Sequence, residues 1–291
     1  MGFSITDNQI NGSNGVYFIG EVGINHNGDV ELAKKIILEA KKAGFSAVKF
    51  QKRNPELSTP ENMKSKLRET PWGEMTYLEY KYKIEFEKKE YDEISRYCKE
   101  LEIDWFASCW DVDSLDFLLN YEPPVLKIAS ASITDKVLLE SHASTGLPII
   151  MSTGMSTMDE IDKAYEILKN NALAILHTTS TYPCPPEELN LNMINTLSET
   201  YPNNPIGYSG HESGLSTSIA AAVLGAKIIE RHITIDRSMW GTDQAASLGP
   251  DGMNKLVGSV NKIMLSLGTG QKKVFDSELP IRDKLRNIDT T

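Results

Sequence analysis

Eight short apolar runs rich in β-branched residues punctuate this chain: VYFIGEVGIN (16–25), FSAVKFQ (45–51), DWFASCW (104–110), VLKIAS (125–130), PIIMST (148–153), LAILHTTS (173–180), PIGYSGH (205–211) and AKIIERHIT (226–234). Between them lie segments with apolar residues at helical spacing, among them 29–44, 90–103, 158–171 and 214–226. Asp29 and Ser156 offer N-caps, and Gly44 offers a C-terminal stop. Strand and helix alternating from end to end imply a parallel sheet, because parallel neighbours need a crossover of helix length. Eight such units is the number at which the sheet closes, so the expected fold is α/β, a (βα)8 TIM barrel formed by 1–291 as one domain. An open doubly wound sheet is the competitor, but no GxGxxG turn follows the first strand and no GxxxxGK[ST] loop occurs. Residues 1–15, with two Asn-Gly dipeptides, read as a short N-terminal hairpin. The stretch 52–89 is far longer than a usual βα loop of about 2–6 residues. As a βα connection it is expected to lie over the active-site face, as a lid.

The formal net charge is −10 and there is no basic block, which argues against a nucleic-acid partner or an anionic membrane surface. An anionic ligand would have to be met by local charges. Cys98, Cys109 and Cys184 are odd in number and contain no CxxC pair, which points away from a disulfide framework or structural zinc and toward a reducing, cytoplasmic location. No basic start followed by an apolar run occurs, nor any apolar stretch of about 18 residues, so neither targeting to nor spanning of a membrane is expected.

In such a barrel, chemistry gathers at the C-terminal ends of the strands. There the sequence places Glu21, then Lys49 and Gln51, Ser108, Lys127 and Ser130, Ser152, Thr179 and Ser180 with Tyr182 beyond, Ser209 and His211, and finally Glu230 and His232. Lys49 and Gln51, Ser209 and His211, and Glu230 and His232 are each two residues apart and so share a face, directed into the barrel mouth. The opposite phase, Val48 and Phe50 or Ile229 and Ile233, is apolar and suits the outer helices; Arg231 interrupts it and is expected to pair with an acid at the sheet–helix layer. A lone strand-end histidine reads as hydrogen-bonded structure, and His142 and His177 are read so. His211 and His232, ending neighbouring strands, can instead meet one divalent ion. Lys49 and Lys127 sit in strand interiors and need a counter-charge, either Glu21 and Glu230 or a bound anion. Two inward lysines with several serines describe a pocket for phosphate and carboxylate. With a metal to polarise a carbonyl, this points to carbon–carbon bond formation between a phosphorylated enol and an aldehyde.

Taken in order and spacing, EVGINHNGD, AVKFQ, LKIAS, STGM, TSTYPCP, IGYSGH, ERHITIDR and GTDQAAS resemble the catalytic barrel of the N-acetylneuraminate (sialic acid) synthase family over about 16–285. The resemblance implies condensation of phosphoenolpyruvate with an open-chain sugar aldehyde to a nine-carbon 2-keto-3-deoxy acid and phosphate. It implies a divalent metal on His211 and His232, manganese first with magnesium or cobalt as alternatives. Phosphoenolpyruvate would lie against Lys49, Ser108, Lys127, Ser130, Ser152 and Ser209. Glu21, Gln51, Tyr182, Glu230 and Asp243 match positions that contact the sugar, the metal shell or the water that attacks C2, with Glu21 preferred for the water. Members usually continue into a small antifreeze-like domain that supplies an arginine near the N-acetyl group. The present sequence stops at Thr291, so any homodimer is expected not to take the usual domain-swapped form. Ser180 stands where asparagine is common, and Trp240 where small residues are frequent. The sugar is therefore expected to lack the acetamido group, or Trp240 and the 52–89 stretch to stand in for the missing domain. The alternatives are a synthase making an eight- or seven-carbon acid from a sugar phosphate, and a non-catalytic barrel that binds a sugar acid.

Overall fold

The computed structural model describes residues 3–5, 8–9 and 15–286. All eight apolar runs form strands: β1 (Tyr17–Gly23), β2 (Ala47–Lys52), β3 (Asp104–Cys109), β4 (Leu126–Ile128), β5 (Ile149–Ser152), β6 (Leu173–Thr178), β7 (Ile206–Gly210) and β8 (Ile228–His232). They pair in chain order, all parallel, and β8 returns to β1, closing the barrel. A helix follows each strand, from Val30–Ala43 after β1 to Pro250–Leu267 after β8. The first of these is capped as its sequence demands. Asp29 accepts from the Glu31 and Leu32 amides, and Gly44 closes the other end at φ 87°, a left-handed conformation that glycine adopts without penalty. The helix Met158–Leu168 starts one residue later than expected: Thr157, not Ser156, is its cap, because Thr157 and Glu160 complete a reciprocal capping box. Strands β4 and β6 also stop two residues short of their apolar runs, leaving Ser130 to open a 3-10 turn and Ser180 in the following loop.

The strand alternation divides the core in two. Val48, Phe50, Ile229 and Ile233 face outward and pack with Ala33, Ile36, Ile37 and Ala40 of the first helix. Ile19, Ala47, Phe106, Val125, Ile150, Leu176 and Ile228 face inward and fill the barrel. Gly207 supplies no side chain to this layer because there is no room for one: a Cβ there would come within 2.3 Å of Leu176 Cδ2. At the N-terminal hairpin, Ser4–Ile5 pairs antiparallel with Asn8–Gln9. Residues 6–7 and 10–14, the latter holding Asn11, Gly12 and Asn14 of the two Asn-Gly dipeptides, lie outside the described residues. Phe3 and Ile5 are buried against the inward layer.

The 52–89 stretch carries its own secondary structure. Short helices at Pro55–Ser58 and Glu61–Lys64 precede an antiparallel pair, Leu67–Thr70 with Gly73–Thr76, and then the helix Tyr77–Ile84. Trp72 and Tyr80 meet Trp240 of the last βα loop edge-on, with ring centroids 5.8 and 5.4 Å away. Glu85 anchors the return: it accepts from Lys52 Nζ at 3.2 Å and from the Arg53 amide at 3.0 Å, and pairs with Arg53 Nε at 3.3 Å. Arg231 is wholly buried on the outer side of β8. It pairs with Glu212 at 2.9 Å and also donates to Ser218 and the Gly214 carbonyl at the start of the preceding helix, Ser216–Val223.

Candidate active site

Two residues beyond the inward apolar layer, each strand turns polar: Glu21, Lys49, Ser108, Lys127, Ser152, Thr178, Ser209 and Glu230 follow Ile19, Ala47, Phe106, Val125, Ile150, Leu176, Gly207 and Ile228. A period of two on every strand thus stacks a polar layer on an apolar floor. A further step reaches Gln51, His211 and His232. Together these residues line a cavity of about 240 Å³, joined by Ser130, Ser180 and Tyr182 from the loops. Of the strand-end and site residues singled out from sequence, Thr179 and Asp243 are not in its lining: Thr179 Oγ1 donates to the Glu188 carbonyl at 3.1 Å, and Asp243 Oδ2 stands 3.6 Å from His232 Nδ1. Trp110, Met155 and Thr178 line the cavity without having been singled out. Arg53, also missed, donates to Gln51 Oε1 and lies 5.1 Å from the Trp110 ring. The alternation through 49 and 51 continues to 53 and was the available signal.

The two lysines resolve differently. Lys49 Nζ sits 2.8 Å from Glu21 Oε2 and 3.6 Å from Glu230 Oε1, so its charge is matched within the protein. Burial opposes its charge, but Glu21 and then Glu230 outweigh burial and raise its pKa. Glu21 is fixed on both oxygens, since Gln51 Nε2 donates to Oε1 at 2.8 Å. Burial would raise the pKa of Glu230, yet Lys127 first and Lys49 second hold it below the usual carboxylate range. Ser209 donates to Glu230 Oε1 at 3.2 Å, while Oε2 is buried without a partner. Lys127 Nζ, by contrast, contacts Ser152 Oγ at 2.7 Å and the Ile128 carbonyl at 3.0 Å, and no carboxylate lies within 4.0 Å among the described residues. Burial pushes its pKa down to about 8, with Glu230 only partly offsetting. A buried cation among hydroxyls is a receptor for an anion. Gly154 keeps that receptor open. A Cβ there would come 2.2 Å from Ser180 Oγ and 2.9 Å from Ser130 Oγ.

The imidazoles of His211 and His232 lie side by side, centroids 5.4 Å apart, with Tyr182 packed 4.0 Å from His211. His211 Nδ1 meets the Thr179 carbonyl at 2.7 Å. A carbonyl only accepts, so the proton resides on Nδ1 and Nε2 keeps its lone pair. Burial first, and His232 second, lower the His211 pKa to about 4, which keeps the ring neutral near pH 7. His232 Nδ1 is buried and has no hydrogen-bond partner. No group of three His, Cys, Asp or Glu ligands occurs among the described residues. The site therefore offers two imidazoles and leaves other positions to small ligands, a donor set that fits an open divalent-metal site. His142 and His177 stay outside this chemistry; each is bound to a backbone carbonyl, Leu138 at 2.8 Å and Leu189 at 2.7 Å. Cys98, Cys109 and Cys184 are buried free thiols, and no helix among the described residues is long and apolar enough to cross a membrane.

Comparison with known proteins agrees with the fold. The chain is 38% identical over 282 residues to N-acetylneuraminate-9-phosphate synthase of Homo sapiens, covering 95% of this chain and 78% of that one. It is 35% identical to N,N'-diacetyllegionaminic acid synthase of Legionella pneumophila, over 93% of this chain and 78% of the relative. The crystal structure of the N-acetylneuraminic acid (sialic acid) synthetase of Leptospira borgpetersenii in complex with citrate superimposes with a TM-score of 0.86 at 34% identity, covering 99% of this chain and 98% of that one. The NeuB family model matches residues 36–272, a span that runs from within the helix Val30–Ala43 through β2–β8 to just past the helix Pro250–Leu267, and the chain accordingly belongs to the NeuB family.

Proposed function

We propose that this chain condenses phosphoenolpyruvate with an open-chain sugar aldehyde, N-acetylmannosamine-like or mannose-like, to give a sialic-acid-type 2-keto-3-deoxy nonulosonate and inorganic phosphate. The observation that carries the reading is the uncompensated Lys127 ammonium, set among Ser108, Ser130, Ser152 and Ser209 in the same cavity as two adjacent imidazoles. The relatives named above are synthases of N-acetylneuraminate 9-phosphate and of N,N'-diacetyllegionaminic acid, which supports the same reaction class. The buried free thiols fit a cytoplasmic home.

Lys127 supplies the free charge that meets phosphoenolpyruvate, Lys49, already paired with Glu21 and Glu230, adds a hydrogen-bond donor to it, and the four serine hydroxyls orient it. Those charges are fixed before reaction, so little reorganisation is needed as charge moves. C3 of the enol attacks the aldehyde carbon, water adds at the electron-poor C2, and the tetrahedral product loses phosphate by C–O cleavage. Glu21, held by Gln51 and Lys49, takes the proton from the water. Glu230 Oε2 accepts from a sugar hydroxyl. Gln51, Tyr182 and Asp243 border the sugar, and Asp243 also orients His232. A divalent metal, manganese first with magnesium or cobalt as alternatives, would be held by His211 and His232 and supplies Lewis-acid polarisation of the aldehyde carbonyl when bound.

The test is phosphate release from phosphoenolpyruvate with manganese, across mannose, N-acetylmannosamine, arabinose and their phosphates, with products identified by mass. Aldose-dependent release with a mass equal to sugar plus pyruvate is expected. No release with any aldose would leave a non-catalytic sugar-acid-binding barrel.

A further inference from the structure

The turn that follows β1, Asn25-His26-Asn27-Gly28, does not line the cavity and takes no part in the chemistry above. Yet Asn25 is polar and 0% exposed. Its Nδ2 donates to the Ile233 carbonyl at 2.9 Å and to Ser247 Oγ at 2.8 Å, partners 208 and 222 residues away. A carbonyl only accepts, so the nitrogen of the amide, not its oxygen, faces the last βα loop. Ser247 is buried too, and it donates its own proton to the Asp243 carbonyl at 2.7 Å. Asn25, Ser247 and Asp243 thus form a relay that ends on the peptide of a site residue. Two further bonds tie the same turn to the same loop: Gln244 Nε2 donates to the Asn25 carbonyl at 3.3 Å, and Asn27 Nδ2 donates to the Trp240 carbonyl at 3.0 Å.

The loop needs such a grip. It leaves the barrel at Ile233 and returns at Leu248, where the two residues pair in parallel register. The Leu248 amide donates to the His232 carbonyl at 2.8 Å and the Thr234 amide to the Leu248 carbonyl at 2.9 Å, so both feet are fixed. Between them the only regular element is the 3-10 turn Gln244–Ala246. Asp243 lies in this span, with Oδ1 accepting from Thr242 Oγ1 at 2.8 Å and Oδ2 standing 3.6 Å from His232 Nδ1. A displacement of about 1 Å at its peptide would take the carboxylate out of reach of the imidazole. The turn that does the gripping is itself held from the opposite side. His26 stacks on Phe86 with centroids 3.9 Å apart, and a Cβ at Gly28 would come 2.5 Å from the Lys83 carbonyl, so the turn is wedged against the 52–89 stretch.

Resting on the proposed condensation for the role of Asp243, we infer that Asn25 is a positioning residue: through Ser247 it fixes the Asp243 peptide and so holds that carboxylate at His232 and at the sugar. The Lys127 receptor, built from the strands on the far side of the barrel, has no contact with this relay and is untouched by it.

The test is a double-mutant cycle in the full chain with manganese. Asn25→Ala and Ser247→Ala are each expected to raise KM for the aldose about tenfold, the scale of one lost hydrogen bond, while KM for phosphoenolpyruvate stays within about twofold. Added to Asp243→Asn, either substitution is expected to cost less than about twofold more, because the carboxylate it positions is already gone. Ser247→Ala removes a single oxygen and leaves Asn25 on Ile233, so it carries the test if Asn25→Ala does not fold. Hydrogen exchange reads the same point without turnover: the amides of 236–246 are expected to exchange about tenfold faster in Ser247→Ala, with those of β7 and β8 at wild-type rates. Effects that add in full to those of Asp243→Asn would overturn the inference. So would an unchanged aldose KM, equal rises in both KM values, or unchanged exchange in the loop. Faster exchange confined to the loop, in a protein that turns over no aldose, would leave Asn25 as the anchor of Asp243 and sink the condensation instead.

Discussion

Replacing Lys127 by methionine should make the protein more stable and useless at once. The side chain is 1% exposed, and its pKa falls from the ordinary 10.5 to about 8, chiefly through burial. A displacement of that size makes the charged form about 3 kcal/mol less favourable in the folded chain than in the unfolded one. Methionine fills a similar volume without the charge. It leaves Ser152 Oγ short of a donor, which costs about 1 kcal/mol. The net expectation is a gain of about 2 kcal/mol at pH 7, or roughly 4 °C in Tm for a chain of this size. The sign with pH follows from proton counting. Between pH 8 and 10.5 the unfolded chain holds the Lys127 proton and the folded chain does not, so wild-type stability climbs across that window. The advantage of the variant is therefore complete below pH 8 and gone by 10.5. Urea denaturation of both proteins at steps across this range measures it. Phosphoenolpyruvate affinity should fall about a hundredfold in the same variant, and kcat/KM of the wild type should decline above about pH 8 as the ammonium titrates. A variant less stable than wild type at pH 7, or a stability difference flat from pH 7 to 10.5, would refute the view of Lys127 as an unmatched charge awaiting an anion.

Three further substitutions test other parts of the site. Gly154→Ala should raise KM for phosphoenolpyruvate about tenfold, because the added methyl pushes Ser130 and Ser180 apart at a cost of about 1–3 kcal/mol; steady-state kinetics with an unchanged KM would show that the gap is unused. Glu212→Gln strands the buried Arg231 guanidinium and should lower unfolding free energy by about 3 kcal/mol; a loss below 1 kcal/mol in a urea titration would show that the carbonyls around Arg231 suffice. His232→Ala should abolish manganese uptake in calorimetry and metal-dependent turnover while leaving the melting curve nearly unchanged; uptake at wild-type affinity would remove the metal assignment.

The barrel was readable because each strand obeys one period. Lys49 and Gln51 are polar where Val48 and Phe50 are apolar, and the same rhythm placed Glu230 and His232 inside and Arg231 outside. Local pattern named Ser130 and Ser180 correctly as cavity residues but misplaced the strand ends before them. Ser130 and Ser180 reach the cavity from turns whose start depends on where the backbone ladder ends, which residue type alone does not fix. Gly154 went unread because its role is the absence of a side chain between two segments distant in sequence. The opposition of Trp72 and Tyr80 to Trp240 is likewise a property of closure, with some 160 residues between the partners. Lys49 and Lys127 looked alike in sequence. Only the packed structure shows that one already has its carboxylates and the other does not.

The barrel floor carries one more consequence. Phe3 and Ile5 sit in the same apolar cluster as Ile228 of the eighth strand, more than 220 residues further along the chain. The base of the cylinder thus cannot be plugged until the last stave is in place, and the segment around Phe3 and Ile5 must wait, unhoused, for it. Polar substitutions at Phe3 or Ile5 intrude on this step of assembly, far from any substrate.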